Sequence, residues 1–260
     1  MKKKPGLAVI TGGTNGIGSA FAIELAARGF DLILTGRNKS LLQFLKQKIE
    51  KDYSVNVKGA VVELTNDKHV EGFMKLIEKE HVTLLINNAG FGLGKKFYKA
   101  DIKKQVDMIL VHDVATTKFC HAVIPGMIRA RRGAIINVAS MAAFFPSPNS
   151  AVYNASKAYL KIFSESLAIE LKTHKIKVQA LCPGFTETHF FNGKDSLVDP
   201  TEKKWYISWM TTNKVVQESL YALKKNKVVF VPGRANRCIL KFSRLLPKRL
   251  LYHLMAKIGK

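Results

Sequence analysis

The sequence predicts a single α/β domain: a doubly wound parallel sheet with helices on both faces. Three observations carry that expectation. Strand-like and helix-like segments alternate along a chain of 260 residues, a length that suits one domain with a large core. The strand-like segments are short, continuous apolar runs, as in strands buried on both faces. A glycine-rich turn stands between the first such run and the first helix. Repeated βα units wind right-handed, and their ligands bind beyond the carboxyl ends of the strands, where strand order reverses.

Taken in order, Leu7–Ile10 reads as a strand and Ile17–Arg28 as a helix. Asp31–Thr35 and Ser40–Lys51 repeat the unit. Val55–Leu64 contains the third strand, and Asp67–Glu80 is the third helix. Leu84–Asn87 is the fourth strand, followed by a long helix within Asp101–Arg131. Ala134–Val138 leads to the long helix Ala151–Thr173, and Val178–Cys182 and Val228–Val231 complete the series. The stretch Phe185–Lys214 lacks strand character. It is rich in aromatics (Phe185, Phe190, Phe191, Trp205, Tyr206, Trp209), as expected of a lid over a binding face.

Composition narrows the classes. No apolar run approaches the roughly 20 residues of a membrane-spanning helix. The basic start Met1–Lys4 is followed by too brief an apolar stretch for a signal peptide. Cys120, Cys182 and Cys238 fit neither a disulfide framework nor a metal motif; they read as buried thiols of a reducing compartment, so the cytoplasm is expected. Lys and Arg number 42 against 19 Asp and Glu, a formal net charge of +23. From Ser219 to Lys260 there are eleven basic residues and no acidic one. Such a field attracts anionic partners in a salt-dependent way. Anionic lipid, nucleic acid and phosphorylated substrates all qualify, and a generally basic proteome is the plain alternative.

Two groups of residues carry chemistry. The first is Thr11-Gly12-Gly13-Thr14-Asn15-Gly16-Ile17-Gly18. Glycines allow a tight turn and close backbone approach to a pyrophosphate. The helix that follows presents free N–H groups and the positive end of its dipole. The next strand ends in Thr35-Gly36-Arg37. An acid at that end would bind the ribose 2′-hydroxyl of NAD, whereas Arg37 can pair with a 2′-phosphate, which favours NADP. The second group is Ser140, Tyr153 and Lys157. Tyr153 and Lys157 share one helix face, a turn apart. A nearby ammonium favours tyrosinate and is expected to lower the tyrosine pKa from about 10 towards working pH. Tyr153 can then serve as acid or base for an alcohol–carbonyl pair, with Ser140 hydrogen-bonded to the same oxygen.

The sequence resembles the short-chain dehydrogenase/reductase family over nearly its whole length. Thr11-Gly12-x-x-x-Gly16-x-Gly18, Asn87-Asn88-Ala89-Gly90, Ser140, Tyr153, Lys157, Pro183-Gly184 and Thr188 stand in the family's order. The resemblance implies a Rossmann-like three-layer fold over residues 1–233, binding NADPH or NADP. It places Gly12, Thr14, Asn15, Gly16, Ile17 and Gly18 in the cofactor loop. Glu63 and Leu64 stand at the adenine, where the family has an Asp-hydrophobic pair. Asn88, Ala89 and Gly90 line the adenosine side. Lys157 also binds the nicotinamide ribose; Pro183, Gly184, Thr186 and Thr188 border the nicotinamide. Asn15 departs from the pattern, since many NADP-binding relatives carry a second basic residue there. His112 departs too: it stands in the place of the family's catalytic asparagine. It either holds the water of a proton relay to the lysine or is a packed histidine with no part in it. The family also implies a homodimer or homotetramer built through the two long helices.

Residues 234–260 read as a basic amphipathic extension. Ile239, Leu240, Phe242, Leu245 and Leu246 recur at helical spacing; after Pro247, which can start a second helix, come Leu250, Leu251, Leu254, Met255 and Ile258. Arg237, Lys241, Arg244, Lys248, Arg249 and Lys257 lie among them. The extension either rests on an anionic membrane surface or packs its apolar face on the core or a partner subunit. It is similar to relatives acting on 3-oxoacyl chains, steroids and other lipid-like carbonyls. The expected function is NADPH-dependent reduction of a ketone or aldehyde on a hydrophobic or acyl-type substrate, with no specific nucleic acid. The alternatives are an alcohol dehydrogenase running in the oxidative direction and a cofactor-bound adaptor at an anionic surface.

Overall fold

Alternation across each strand decides which way its side chains point, and here both directions are covered. In β1 (Leu7–Ile10), Ala8 and Ile10 pack with Phe21 and Leu25 on one face, while Val9 packs with Phe73 and Phe119 on the other. β2 (Asp31–Gly36) repeats this, with Leu32 and Leu34 on the first face and Ile33 on the second. β4 (Val82–Asn87) divides in the same way between Leu84 and Ile86 on one side and Leu85 on the other. β3 (Val57–Val61), β5 (Gly133–Val138), β6 (Ile176–Leu181) and β7 (Val229–Phe230) complete a seven-stranded parallel sheet in the order β3-β2-β1-β4-β5-β6-β7. The structure, a computed structural model, describes residues 5–188 and 209–258. The order reverses beside β1, which lies between β2 and β4, so a crevice opens at the carboxyl ends of those strands.

The helices are α1 (Gly16–Ala27), α2 (Lys39–Asp52), α3 (Asp67–Glu78), α4 (Ile102–Ile109), α5 (Ala115–Ala130), α6 (Ala151–Glu170), α7 (Thr212–Lys224), α8 (Arg234–Leu245) and α9 (Lys248–Ile258). Buried residues of α1, α2 and α7 cover one face of the sheet, and those of α3 and α5 the other. Fully burying one side chain such as Phe21 or Phe119 is worth about 2–3 kcal/mol, so these layers dominate the stability.

Three elements differ from the sequence reading. The long helix expected within Asp101–Arg131 is divided, because a π-helical turn, Leu110–Val114, separates α4 from α5. α7 is a full helix whose Val215, Val216, Leu220 and Leu223 face the core, so the last residues of the expected lid belong to it. Of that lid only 185–188 and 209–214 are described; Phe190, Phe191, Trp205 and Tyr206 lie outside the described residues. Its two ends are tied together, with Glu187 N–H donating to Met210 O at 2.9 Å and Met210 N–H to Phe185 O at 3.0 Å. Among the cysteines, Cys120 and Cys182 are buried as expected, but Cys238 is exposed on α8. The tail forms two helices on either side of Leu246-Pro247, and the first is packed: Asn236 is buried, and Leu240 joins Ala139, Cys182 and Val231 in a small core.

Candidate active site

The phosphate-loop residues meet at the crevice. Gly12 and Gly16 adopt φ of +61° and +55°, where a side chain is strained. A Cβ on Gly18 would stand 2.2 Å from Gly12 O, and one on Gly12 would stand 2.9 Å from Ala89 Cα. Asn88 staples this turn, donating from Nδ2 to Thr11 O at 3.1 Å and Gly12 O at 3.0 Å. Thr11 Oγ1 accepts in return from the N–H groups of Asn88 and Ala89 at 3.0 and 3.1 Å. Asn38 and Asn66 cap α2 and α3 with their side chains, but Asn15 makes no side-chain cap on α1. A helix N-terminus of this kind suits an anionic group. These features fit a dinucleotide pyrophosphate: the backbone is drawn close and side chains are excluded.

The surroundings follow the strand ends. Thr14 packs on Gly36, where a Cβ would meet Thr14 Cγ2 at 2.7 Å. Arg37, the next residue, is exposed with no acid beside it in the chain, and Lys39 is exposed two residues on. Leu64 is buried, and Glu63 accepts weakly from Thr65 N–H at 3.4 Å. On the other side of the crevice Thr186 is buried and donates to Gly184 O at 3.1 Å, while Pro183 O accepts from Met141 N–H at 2.8 Å. Thr188 lies over the glycine loop, 3.0 Å from where a Cβ on Gly16 would be.

α6 brings Tyr153 and Lys157 to the end of β5, where Ser140 follows the strand. Lys157 is buried, its Nζ donating to Val138 O at 2.9 Å and lying 5.7 Å from the Tyr153 ring centre. The Ser140 side chain hydrogen-bonds Tyr153, and its Oγ accepts from Ala142 N–H at 3.1 Å. The electrostatics correct the sequence expectation. Burial pushes the Tyr153 hydroxyl up to about 12, and the bond to Ser140 only moderates it. Burial also draws the Lys157 ammonium down to about 8, against the opposing pull of Asp113. Desolvation outweighs charge–charge attraction at this depth, so Tyr153 holds its proton at neutral pH.

His112 sits in the π turn, fully buried, with both ring nitrogens engaged. Phe91 N–H donates to Nε2 at 3.0 Å, and Nδ1 lies 2.8 Å from Ser156 Oγ, which itself donates to Tyr153 O at 2.9 Å. Nε2 must be the acceptor there, so Nδ1 carries the proton and donates to Ser156. Burial, with the Lys157 charge adding to it, holds the His112 pKa well below its usual 6.5. Gly90 makes room for this: a Cβ there would stand 2.7 Å from His112 Nε2 and 3.5 Å from Lys157 Nζ. His112 thus ties the loop that follows β4 to the helix that bears Tyr153.

Comparison with known proteins settles the family. The family model described as short chain dehydrogenase matches residues 6–197. The chain belongs to the short-chain dehydrogenase family. It is similar to a very-long-chain 3-oxoacyl-CoA reductase of Pyrenophora tritici-repentis, 37% identical over 180 residues, covering 67% of this chain and 53% of that one. It is also similar to a human protein named inactive hydroxysteroid dehydrogenase-like protein 1, 32% identical over 206 residues, or 78% and 60% of the two chains. The chain spans about half the length of the first of these relatives. Among solved structures, a short-chain dehydrogenase from Sphingobium yanoikuyae in complex with NADPH superposes with a TM-score of 0.82 at 27% identity, over 92% of this chain and 93% of that one.

The sequence of this short-chain dehydrogenase shows Asn87 and Thr11 only as parts of motifs, and its reading misses Asn137, Ser164, Ser156 and Asp113 altogether. Asn87 Nδ2 donates to Asn137 Oδ1 and Asn137 Nδ2 to Ser164 Oγ, both at 2.9 Å, which binds β4, β5 and α6 through the core. Ser156 and Thr11 have the same kind of role. Asp113, beside His112, is pushed up to about 7 by burial, and its Oδ1 has no hydrogen-bond partner among the described residues. Small polar residues such as these are common in any sequence, and only the fold gives them their partners.

Proposed function

We propose that this short-chain dehydrogenase is an NADPH-dependent reductase of a ketone or aldehyde on a hydrophobic or acyl-type substrate. The observation that carries the reading is the meeting of Ser140, Tyr153 and Lys157 at the strand end. A protonated tyrosine donates to a carbonyl oxygen, and Arg37, which favours NADP, favours the reductive direction. When bound, NADPH supplies the hydride. The chain's own residues do the rest. The glycine loop and the first N–H groups of α1 hold the pyrophosphate, and Arg37 pairs with the 2′-phosphate. Lys157 holds the ribose and, at a pKa of about 8, can return a proton to Tyr153 near neutral pH. Tyr153 gives its proton to the substrate oxygen while Ser140 hydrogen-bonds that oxygen.

Two features support the rest of the reading. A relative named very-long-chain 3-oxoacyl-CoA reductase, 37% identical over 180 residues, favours an acyl-type substrate. Ile102, Val106 and Ile109 of α4 and Tyr159, Ile162 and Ile169 of α6 are exposed apolar residues at helical spacing, which supports a homo-oligomer formed through these helices. No helix among the described residues is long and apolar enough to cross a membrane. The test is NADPH oxidation against a panel of 3-oxoacyl thioesters, steroids, retinoids and simple aldehydes, beside Tyr153→Phe. Turnover of one class, reduced about a hundredfold or more in the variant with NADPH affinity intact, upholds the reading. Tight NADPH binding with no turnover across the panel overturns it in favour of the adaptor.

A further inference from the structure

The surface of α8 divides into three sectors. At 100° per residue, Asn236 and Leu240 form the face packed on the core. Ala235, Cys238, Ile239, Phe242 and Leu245 fall together on a second face, and all are exposed, Phe242 at 69% and Leu245 at 79%. Arg234, Lys241 and Arg244 fall on a third, also exposed. The apolar stripe is thus separate from the packing face, with cations along its flank. α9 repeats the composition: Leu250, Tyr252 and Leu254 are exposed, and Lys248, Arg249 and Lys257 accompany them. No acidic residue occurs from Ser219 to Lys260.

We propose that α8 and α9 dock this protein on an anionic lipid bilayer. An apolar stripe beside exposed cations, on helices too short to span, is the pattern of a helix lying in a membrane interface. Charge alone would suit nucleic acid equally, but exposed Phe242, Leu245 and Leu250 gain nothing from a phosphate backbone and gain apolar burial among acyl chains.

The position of α8 gives the docking a purpose, and this part rests on the proposed reductase. Asn236 packs against Gly184, where a Cβ would stand 2.8 Å from its Nδ2. The Arg244 guanidinium lies over the Phe144 ring at 5.9 Å, and Phe144 packs against the small core that Leu240 shares with Ala139 and Cys182, at the ends of the strands that lead to Ser140 and Gly184. Docking of α8 therefore sets the mouth of the site beside the bilayer, where a lipid-like ketone resides.

The experiment floats the full chain with vesicles of phosphatidylcholine alone and of phosphatidylcholine mixed with phosphatidylserine, at about 0.1 M salt. The comparison is Phe242→Ser with Leu245→Ser, which keeps every charge and touches neither the catalytic residues nor the cofactor loop. The expected result is flotation with the mixed vesicles only, weakened about tenfold or more in the double variant, with NADPH affinity unchanged. Absence of flotation overturns the proposal. So does equal flotation of the double variant, because the binding would then belong to the net charge of +23. Preference for duplex DNA over the mixed vesicles, untouched by the double variant, overturns it as well. Flotation is read without turnover, so an inactive protein that still floats removes the reductase reading alone. If a vesicle-borne long-chain ketone and a short soluble ketone are both reduced, and the double variant loses nothing on the former, the placement of the site mouth is wrong.

Discussion

The glycine loop and the cluster of Ser140, Tyr153 and Lys157 both lie at the carboxyl ends of the strands, and they are held by different physics. In the loop, backbone meets backbone: Gly18 and Gly12 leave no space for a Cβ, and Asn88 locks the turn through main-chain carbonyls. In the cluster, side chains make the bonds: His112 to Ser156, Ser156 to the Tyr153 carbonyl, Lys157 to the Val138 carbonyl and Ser140 to Tyr153. Steric exclusion admits one residue type at a position. A hydrogen-bond network admits several, provided donors and acceptors still match. A glycine in the loop therefore leaves less freedom for replacement than His112 does in its network.

Substitutions at the two places test that difference. The largest effect is expected for Gly18→Val. Its side chain would meet the Gly12 carbonyl, and NADPH affinity measured by titration should fall about a hundredfold or more. Retained affinity would show that the loop relaxes and that its packing is not decisive. Arg37→Asp should come next, lowering NADPH affinity about ten- to a hundredfold while leaving NADH affinity the same or better. Equal losses for both cofactors would take the 2′-phosphate away from Arg37.

His112→Ala removes two buried hydrogen bonds and leaves a cavity, and should cost about 2–4 kcal/mol in denaturant unfolding. His112 is already neutral across the working range, so the pH profile of its residual activity should keep its shape. Loss of an inflection near pH 6–7 would instead make it a titrating member of a relay. The smallest effect is expected for Asp113→Asn. Asp113 has a raised folded-state pKa of about 7, so the native state binds more protons than the unfolded state between about pH 4 and 7, and stability falls as pH rises through that window. The variant should therefore gain in Tm over the wild type at pH 8 and gain little at pH 4. It should also lower the Lys157 pKa further by removing the carboxylate that raises it, which moves the basic limb of the activity profile to lower pH.

The same contrast explains what the sequence made legible. The strands and most helices follow from runs of Val, Ile and Leu and from helical spacing, and the sheet has the expected order reversal beside β1. The glycine turn stands at the end of β1, and Ser140, Tyr153 and Lys157 meet at the end of β5. The π turn at His112 is not legible, since one extra residue in a helix leaves the apolar spacing almost unchanged. α7 hides behind the aromatics that precede it, which draw attention to a lid. The Tyr153 pKa is misjudged because spacing reveals Lys157 but not the depth at which both groups lie.

The staples have one more consequence, which concerns time. Asn88 reaches back 77 residues to Thr11, His112 forward 44 to Ser156, and Asn87 forward 50 to Asn137. Each contact closes a long loop, and chains rich in such pairings fold slowly. The residues of the candidate site therefore come together only once β1, β4 and β5 have closed against α6.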